Sequence, residues 1–219
     1  MSRWRKIRHA GAARVFRQAV PYFLRRGLQH VLFASLHPWC LVRLWSAGVT
    51  WGPGLRTMGA PDVDIYPGSR VDFGRDVTLA SNRKRYVLHQ NGPVRIRTLT
   101  PASRIVLGDR VWLNGSTIVC RSQFIAIGEG TIFAANATVM DSDFHKPWPP
   151  EERLNYPTTE FDAGVTIGRY CWIGLNVTIL KGSVVGDGAV VGAGSVVTGE
   201  IPANCLAAGV PARVIRMLP

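Results

Sequence analysis

The sequence predicts an all-β solenoid, and two observations in the stretch from Val165 to Thr198 carry that prediction. An aliphatic residue recurs every six positions, and a small or short side chain follows each of the first five by four positions. The aliphatic series is Ile167, Ile173, Ile179, Val185, Val191 and Val197, and the second series is Cys171, Val177, Ser183, Ala189 and Ser195. A helix repeats about every 3.6 residues and a plain strand every two, so neither alone gives this period. The period indicates a coil whose turn consists of three short parallel strands, so that stacked turns bury a continuous column of aliphatic side chains.

The same period continues more weakly towards the N-terminus. It begins faintly at Ile65, Val71 and Val77, returns at Leu107, Leu113, Val119 and Ile125, and shifts phase to Ile127, Phe133 and Val139. Residues 80–103 break it with the runs NRKRY and QNGP, which indicate an irregular or inserted segment. We therefore predict one solenoid domain over residues 61–205. A Val/Gly-rich β-sandwich is the alternative, but it predicts polar turn clusters at irregular intervals of about 8–12 residues.

A proline-rich segment interrupts the solenoid. It reads DSDFHKPWPPEERLNYPTTEFD from Asp141 to Asp162, with four prolines and no six-residue period. We predict a protruding loop over residues 140–162, and long loops on rigid scaffolds are usually functional. The loop carries His145, the one histidine of five within the clear repeat region.

The net charge of +12 is unevenly placed along the 219 residues. Residues 1–30 hold eight basic residues and no acidic residue. We predict a basic, partly helical cap over residues 1–60, covering the open first coil as solenoids require, and a C-terminal tail over residues 206–219. The basic and aromatic residues of segment 1–45 also suit an anionic membrane surface, so peripheral membrane contact stays open. No recognised nucleic-acid module accompanies them, and nucleic-acid binding is not expected.

The cellular location is predicted from what the sequence lacks. No cleavable signal and no transmembrane helix is evident, since the apolar run from Val31 to Trp45 is shorter than the roughly 20 residues that a span needs. The four cysteines are scattered and form no CxxC pair. We expect a reduced, cytoplasmic protein, with contact at the inner face of the membrane left open.

Four motifs carry a resemblance to a known family. DSDFHKP, CWIGLNVTIL, VVGAGSVVT and EIPANCLAAGVPARVIR resemble the hexapeptide-repeat acyltransferases, and among them the sugar O-acetyltransferases of the maltose and galactoside type. The resemblance is close over residues 104–217, loose over 62–103 and absent before. It implies a left-handed parallel β-helix, an exception to the right-handed crossover rule, in a homotrimer. It also implies acetyl-CoA as co-substrate, bound in a groove between neighbouring coils, with no metal required.

The resemblance also implies a set of site residues. The catalytic histidine falls on His145 and the active-site asparagine on Asn114. The acetyl-CoA contacts fall on Leu175, Ala193, Thr198, Gly199, Arg213 and Arg216, with Trp172 either lining the groove or packing between coils. Leu175 replaces a small or polar residue, and Gly199 stands where lysine is common. Arg213 and Arg216 suit CoA phosphates, and a plain basic tail is the alternative.

These residue types fit acetyl transfer from a thioester to a hydroxyl. A neutral imidazole can take the hydroxyl proton, and the Asn114 side chain or backbone N–H groups can hold the oxyanion. Asp143 either orients the imidazole as a triad carboxylate does or serves as a turn residue.

We therefore expect an acetyl-CoA-dependent O-acetyltransferase acting on a sugar, in a cell-envelope or exopolysaccharide precursor. A drug or serine as acceptor, or a non-catalytic solenoid scaffold, are the alternatives. A zinc carbonic anhydrase on the same coil needs three converging histidines, and the clear solenoid region holds only His145.

Overall fold

Three parallel β-sheets form the sides of one coil in the computed structural model, which describes residues 19–21, 23–24, 27–28, 36–82, 89–154 and 159–219. Sheet A contains, in spatial order, β1 (Thr50–Trp51), β4 (Arg70–Phe73), β7 (Arg104–Leu107), β10 (Phe124–Ile127), β13 (Val165–Ile167), β16 (Val184–Val185) and β19 (Glu200–Ile201). Sheet B contains β2 (Arg56–Met58), β5 (Thr78–Ala80), β8 (Trp112–Asn114), β11 (Ile132–Phe133), β14 (Trp172–Ile173), β17 (Val190–Val191), β20 (Cys205–Gly209) and β21 (Ala212–Met217). Sheet C contains β3 (Asp62–Asp64), β6 (Arg95–Thr98), β9 (Thr117–Cys120), β12 (Thr138–Met140), β15 (Thr178–Ile179) and β18 (Val196–Val197).

The chain visits sheets A, B and C in turn, and every pair of neighbouring strands is parallel except β20 with β21. We call the turns between the sheets the AB, BC and CA corners. The predicted columns lie inside the coil, since every member of both six-residue series is at most 2% exposed. Each fully buried aliphatic side chain contributes roughly 1.5–3 kcal/mol, so this column supplies most of the driving force for stacking. The β-solenoid prediction is confirmed.

Glycine after the aliphatic residue is required by how closely the corners stack. A Cβ atom on Gly128 would lie 2.5 Å from the carbonyl carbon of Gly168 in the next turn. That separation is far below van der Waals contact. The Ile-Gly pairs of the repeat therefore reflect backbone-to-backbone stacking at the AB corner.

The solenoid begins earlier and ends later than predicted. Strands β1 and β2 already belong to sheets A and B, so the first coil starts near Thr50 rather than at residue 61. A helix over residues 36–46 precedes it and buries Cys40 and Leu44 against the coil, as a cap should. The tail predicted over residues 206–219 is instead the antiparallel pair β20 and β21. The cap prediction for residues 1–18, 22, 25–26 and 29–35 lies outside the described residues.

One position of the predicted period is wrong by one residue. Val119 is half-buried and faces outward, while Ile118 and Cys120 on either side are fully buried. The BC corner is tight at this turn, with Gly115 at φ +54°, so sheet C begins in the other phase.

Two segments interrupt the coil. The sequence predicts the second, whereas the first is shorter than the predicted irregular segment 80–103, because β6 (Arg95–Thr98) within that range is a strand of sheet C. Residues 81–94 connect β5 to β6, and residues 141–164 connect β12 to β13. The second segment includes two short 3-10 helices, Pro150–Glu152 and Thr159–Phe161. Among the described helical residues there is no helix of the length and apolar character that a membrane span requires.

Candidate active site

Most of the predicted site residues fall on two corners of the coil, and the rest lie on sheet B. Asn114 ends β8 at the BC corner, and Leu175 and Ala193 lie at the same corner in later turns. The backbone links them, because Asn136 N–H donates to Asn114 O at 3.2 Å and Gly194 N–H donates to Leu175 O at 2.8 Å. The structure therefore brings the predicted asparagine and two predicted acetyl-CoA contacts into one strip.

A second group of predicted residues belongs to the CA corner. The loop that carries His145 leaves the coil there, and Thr198 and Gly199 lie there in a later turn, where Gly199 O accepts Val184 N–H at 3.3 Å. Sheet C separates the two corners. At about 3.3 Å per residue, its strands place the corners roughly 15 Å apart within one chain. The predicted catalytic residues His145 and Asn114 thus lie on two different corners.

A backbone carbonyl holds the imidazole of His145. Its Nδ1 atom lies 2.8 Å from Arg153 O, at the far side of the same loop, and the side chain is exposed. Because a carbonyl oxygen only accepts, Nδ1 must carry the proton. In the neutral ring Nε2 is then the nitrogen with a lone pair that can accept a proton, which is the state that a general base needs.

Asp143 takes part in a contact that the sequence analysis did not consider. Its Oδ2 lies 2.6 Å from Lys181 Nζ, and the same Nζ donates to Phe161 O at 2.8 Å. Lys181 comes from the CA corner of the turn after the loop. The carboxylate that was expected either to orient the imidazole or to serve a turn thus ties the start of the loop to the coil.

A buried polar cluster holds the base of the loop. Arg121 donates from Nη1 to Ser142 Oγ at 3.1 Å and its Nε lies 3.8 Å from Asp162 Oδ2, with both charged side chains at most 4% exposed. The fully buried Asp141 carboxylate accepts backbone N–H groups of residues 121, 122 and 123 at 2.6–3.1 Å. Sequence reasoning missed this cluster. Its only signal was an aspartate at each end of the loop.

Asn114 is oriented by a residue that the sequence analysis also missed. The buried Gln90, from the segment between β5 and β6, donates from Nε2 to Asn114 Oδ1 and to Ala80 O at 3.2 Å. With its oxygen engaged by Gln90, the Asn114 side chain has its Nδ2 hydrogens as donors for another group. That arrangement can meet a developing oxyanion.

The remaining predicted acetyl-CoA contacts are on sheet B. Trp172 is 58% exposed and points outward in register with Ile132 and Val190, so it does not pack between coils. Arg213 and Arg216 are exposed on β21, the last strand.

Three of the four cysteines are poor nucleophiles. Burial, and for Cys120 the nearby Asp141 carboxylate in addition, raises the pKa of the thiols of Cys120, Cys171 and Cys205 above the ordinary range. A thiol must ionise to attack a thioester. Direct transfer, without a covalent enzyme intermediate, suits this chain.

Comparison with known proteins agrees with this architecture. Residues 164–199 match the family described as Bacterial transferase hexapeptide (six repeats). Galactoside O-acetyltransferase of Escherichia coli K12 is 40% identical over 114 residues, which cover 52% of this chain and 54% of that protein. A second protein of E. coli K12, assigned to lipopolysaccharide biosynthesis as an O-acetyl transferase, is 35% identical over 118 residues, which cover 51% of this chain and 60% of that protein. The chain thus spans little more than half the length of the curated relatives it matches.

A solved structure shares the fold. A variant of AntD, an N-acyltransferase from Bacillus cereus in complex with dTDP-4-amino-4,6-dideoxyglucose and coenzyme A, superposes with a TM-score of 0.58 at 16% identity, covering 82% of this chain and 89% of that chain. The likeness at this identity concerns the fold alone. With its six-residue coil and the matched repeats, the chain folds as a left-handed parallel β-helix and is similar to the hexapeptide-repeat acyltransferases.

Proposed function

We propose that this protein is an O-acetyltransferase that moves an acetyl group from acetyl-CoA to a hydroxyl of a saccharide. The observation that carries the proposal is the contact of His145 Nδ1 with Arg153 O at 2.8 Å, because it leaves Nε2 as the proton acceptor. The relatives named as galactoside and lipopolysaccharide O-acetyltransferases support the saccharide acceptor.

The proposed reaction is a direct transfer. The acceptor oxygen forms a bond to the acetyl carbon while His145 Nε2 takes its proton, and the amide hydrogens of Asn114 hold the oxyanion. The carbon–sulfur bond then breaks, and the leaving CoA sulfur receives the proton from His145. Holding both substrates together supplies much of the remaining barrier lowering.

The two-corner placement supports a homotrimer. Asn114, Leu175 and Ala193 lie on the BC corner and His145, Thr198 and Gly199 on the CA corner. In a closed ring, the BC corner of one chain faces the CA corner of its neighbour, so both halves meet at each interface. Acetyl-CoA then lies in that groove, with Trp172 at its wall and Arg213 and Arg216 available for its phosphates.

The N-terminal region supports a place beside the inner face of the membrane, in the cytoplasm. The helix over residues 36–46 exposes Trp39, Val42 and Trp45, and the Arg43 guanidinium lies 5.1 Å from the ring centroid of Trp39. Exposed tryptophans with adjacent cations suit an anionic lipid surface. A cell-envelope or exopolysaccharide precursor is assembled at such a surface, and we propose one as the acceptor.

Turnover of acetyl-CoA tests the proposal. Thiol release should depend on a saccharide from a panel of free, nucleotide-linked and lipid-linked sugars. The substitution His145→Ala should lower turnover by roughly 10²–10⁴-fold, the usual effect of a positioned general base. It should leave acetyl-CoA binding intact, because the side chain is exposed. His9→Ala is the matched control and should keep wild-type turnover. Undiminished turnover in His145→Ala, or release that ignores every saccharide, would refute the proposal.

A further inference from the structure

A pocket of about 260 Å³ lies on the outer surface of sheet C next to the BC corner. Strands β6, β9 and β12 supply Arg95, Thr117 and Thr138, and the segment between β5 and β6 supplies Asn91. We propose that this pocket binds one sugar ring of the saccharide acceptor through hydrogen bonds to the ring hydroxyls, an inference that rests on the proposed function.

The pocket adjoins the candidate oxyanion donor. Gly115, which lines it, follows Asn114 directly in the chain. Asn136, which also lines it, donates its backbone N–H to Asn114 O at 3.2 Å. The pocket therefore adjoins the backbone of Asn114, and a sugar seated here is next to the residue whose amide is proposed to hold the oxyanion.

The lining matches a neutral polyhydroxyl ring. Thr117 and Thr138 stand opposite each other in register on adjacent strands and face outward, alternating with buried Ile118 and Val139. Arg95 brings donors, but its charge is balanced by Asp62, with Nε 2.8 Å from Oδ2. The pocket thus offers hydroxyl, amide and guanidinium groups without net charge. Its volume is just below the range of about 300–1,000 Å³ for drug-sized ligands, which suits a single ring.

The wall of the pocket is pre-organised. The Asn136 side chain donates to His89 O at 3.0 Å and to Asn176 Oδ1 at 3.1 Å, and it accepts Asn91 N–H at 2.8 Å. Gln90, which lies between His89 and Asn91 in the chain, orients Asn114. A fixed wall costs little conformational entropy when a ligand binds. The segment between β5 and β6 therefore both shapes the pocket and orients the amide beside it.

The test replaces the two hydroxyls with methyl groups of the same shape. The double variant Thr117→Val/Thr138→Val should raise KM for the saccharide by roughly 2–10-fold for each hydroxyl, the worth of a hydrogen bond. KM for acetyl-CoA should not change. Thr178→Val is the matched control, since Thr178 pairs with Thr138 in the same row of sheet C but does not line the pocket. It should behave as wild type.

Calorimetric binding of the same sugars without acetyl-CoA separates this inference from the proposed function. Free, nucleotide-linked and lipid-linked forms of one sugar should all lose affinity equally in the double variant, since the ring is what the pocket recognises. If wild type binds the saccharides but acetylates none of them, the proposed function is refuted, whereas the proposed sugar pocket stands. Equal saccharide KM and affinity in wild type and the double variant would overturn the subsite, as would a wild type that binds no saccharide.

Discussion

The amide side chain of Gln90 determines which atoms of the Asn114 amide are available to a reacting group. Gln90 Nε2 engages Asn114 Oδ1 from a fully buried position. The substitution Gln90→Glu replaces that donor with a carboxylate, which accepts from Asn114 Nδ2 and turns the amide oxygen outward. Because an oxygen repels an oxyanion, we expect kcat to fall by about 10²-fold or more, approaching the loss of one oxyanion donor, with KM for acetyl-CoA unchanged.

A double-mutant cycle separates this positioning role from general destabilisation. If Gln90 acts only through Asn114, Gln90→Glu should cost little more kcat in an Asn114→Ala background. Gln90→Leu, which leaves the Asn114 amide free to rotate, should lose less than Gln90→Glu. Equal additional losses in both backgrounds would assign Gln90 to folding alone.

The buried thiol of Cys120 predicts a loss of stability in alkali. Burial first, and the Asp141 carboxylate second, raise the pKa of this thiol above its unfolded value of about 8.5. The contribution of this thiol to folding stability is fully present below its unfolded-state pKa. It is lost as the pH rises above that pKa, since only the thiol of the unfolded chain ionises readily. From this group we expect the free energy of unfolding to fall by up to about 1.4 kcal/mol per pH unit above roughly pH 9.

Urea unfolding between pH 7 and pH 10 measures this effect. The variant Cys120→Ala loses overall stability through its cavity, but its pH dependence should be flatter than that of wild type by the slope just given. Parallel curves for the two proteins over this range would contradict the assignment to Cys120.

At the scale of elements, the loop that carries His145 is tied to the coil on both sides. Arg121 from the turn before contacts Ser142 and Asp162, and Lys181 from the turn after contacts Asp143 and the Phe161 carbonyl. Each cation thus holds both ends of one loop. These contacts fix the two ends of the loop. Within the loop, the backbone carbonyl of Arg153 holds the exposed imidazole of His145.

Removing the more accessible cation should therefore impair catalysis more than stability. In Lys181→Met we expect kcat to fall about 10–100-fold, since small misplacements of a reacting group are costly. The melting temperature should change little, because partly exposed ion pairs contribute roughly 0–1 kcal/mol. Limited proteolysis within residues 141–164 should become faster.

Arg169→Met is the matched control for Lys181→Met. Arg169 pairs with Asp187 at the AB corner, away from the loop. The Arg169→Met variant should keep the kcat of wild type and its rate of limited proteolysis. Unchanged kcat and cleavage in Lys181→Met would show that Asp143 and Lys181 do not position the loop.

The elements could be predicted where one chemical property repeats along the chain. The six-residue period predicted the coil because every inward position must be aliphatic or small, and the run of prolines predicted the loop. The first coil was missed because β1 and β2 lack that period, with Trp51 and Thr57 near their inward positions. The pairings of Asp143 with Lys181 and of Gln90 with Asn114 could not be predicted, because stacking of turns joins residues distant in sequence.

At the scale of the whole molecule, the separation of His145 and Asn114 on two corners makes a prediction about subunit exchange. If each site takes His145 from one chain and Asn114 from its neighbour, the inactive variants His145→Ala and Asn114→Ala should complement each other. Co-refolding equal amounts should restore about one quarter of wild-type turnover, because every mixed trimer then holds one interface with both residues intact.

The control for this exchange is His145→Ala refolded with itself, which should stay inactive. Light scattering should report a particle of three 24.0 kDa chains in every sample. Mixed trimers can be verified by tagging one variant and recovering the other with it. If such verified trimers show no turnover above either parent, then His145 and Asn114 act within one chain, and the loop must reach across sheet C of its own coil. A fully active 24.0 kDa particle would remove the interface itself. Restored turnover near one quarter fits only a site shared between neighbours, because a site within one chain lacks one of the two residues in every subunit of the mixture.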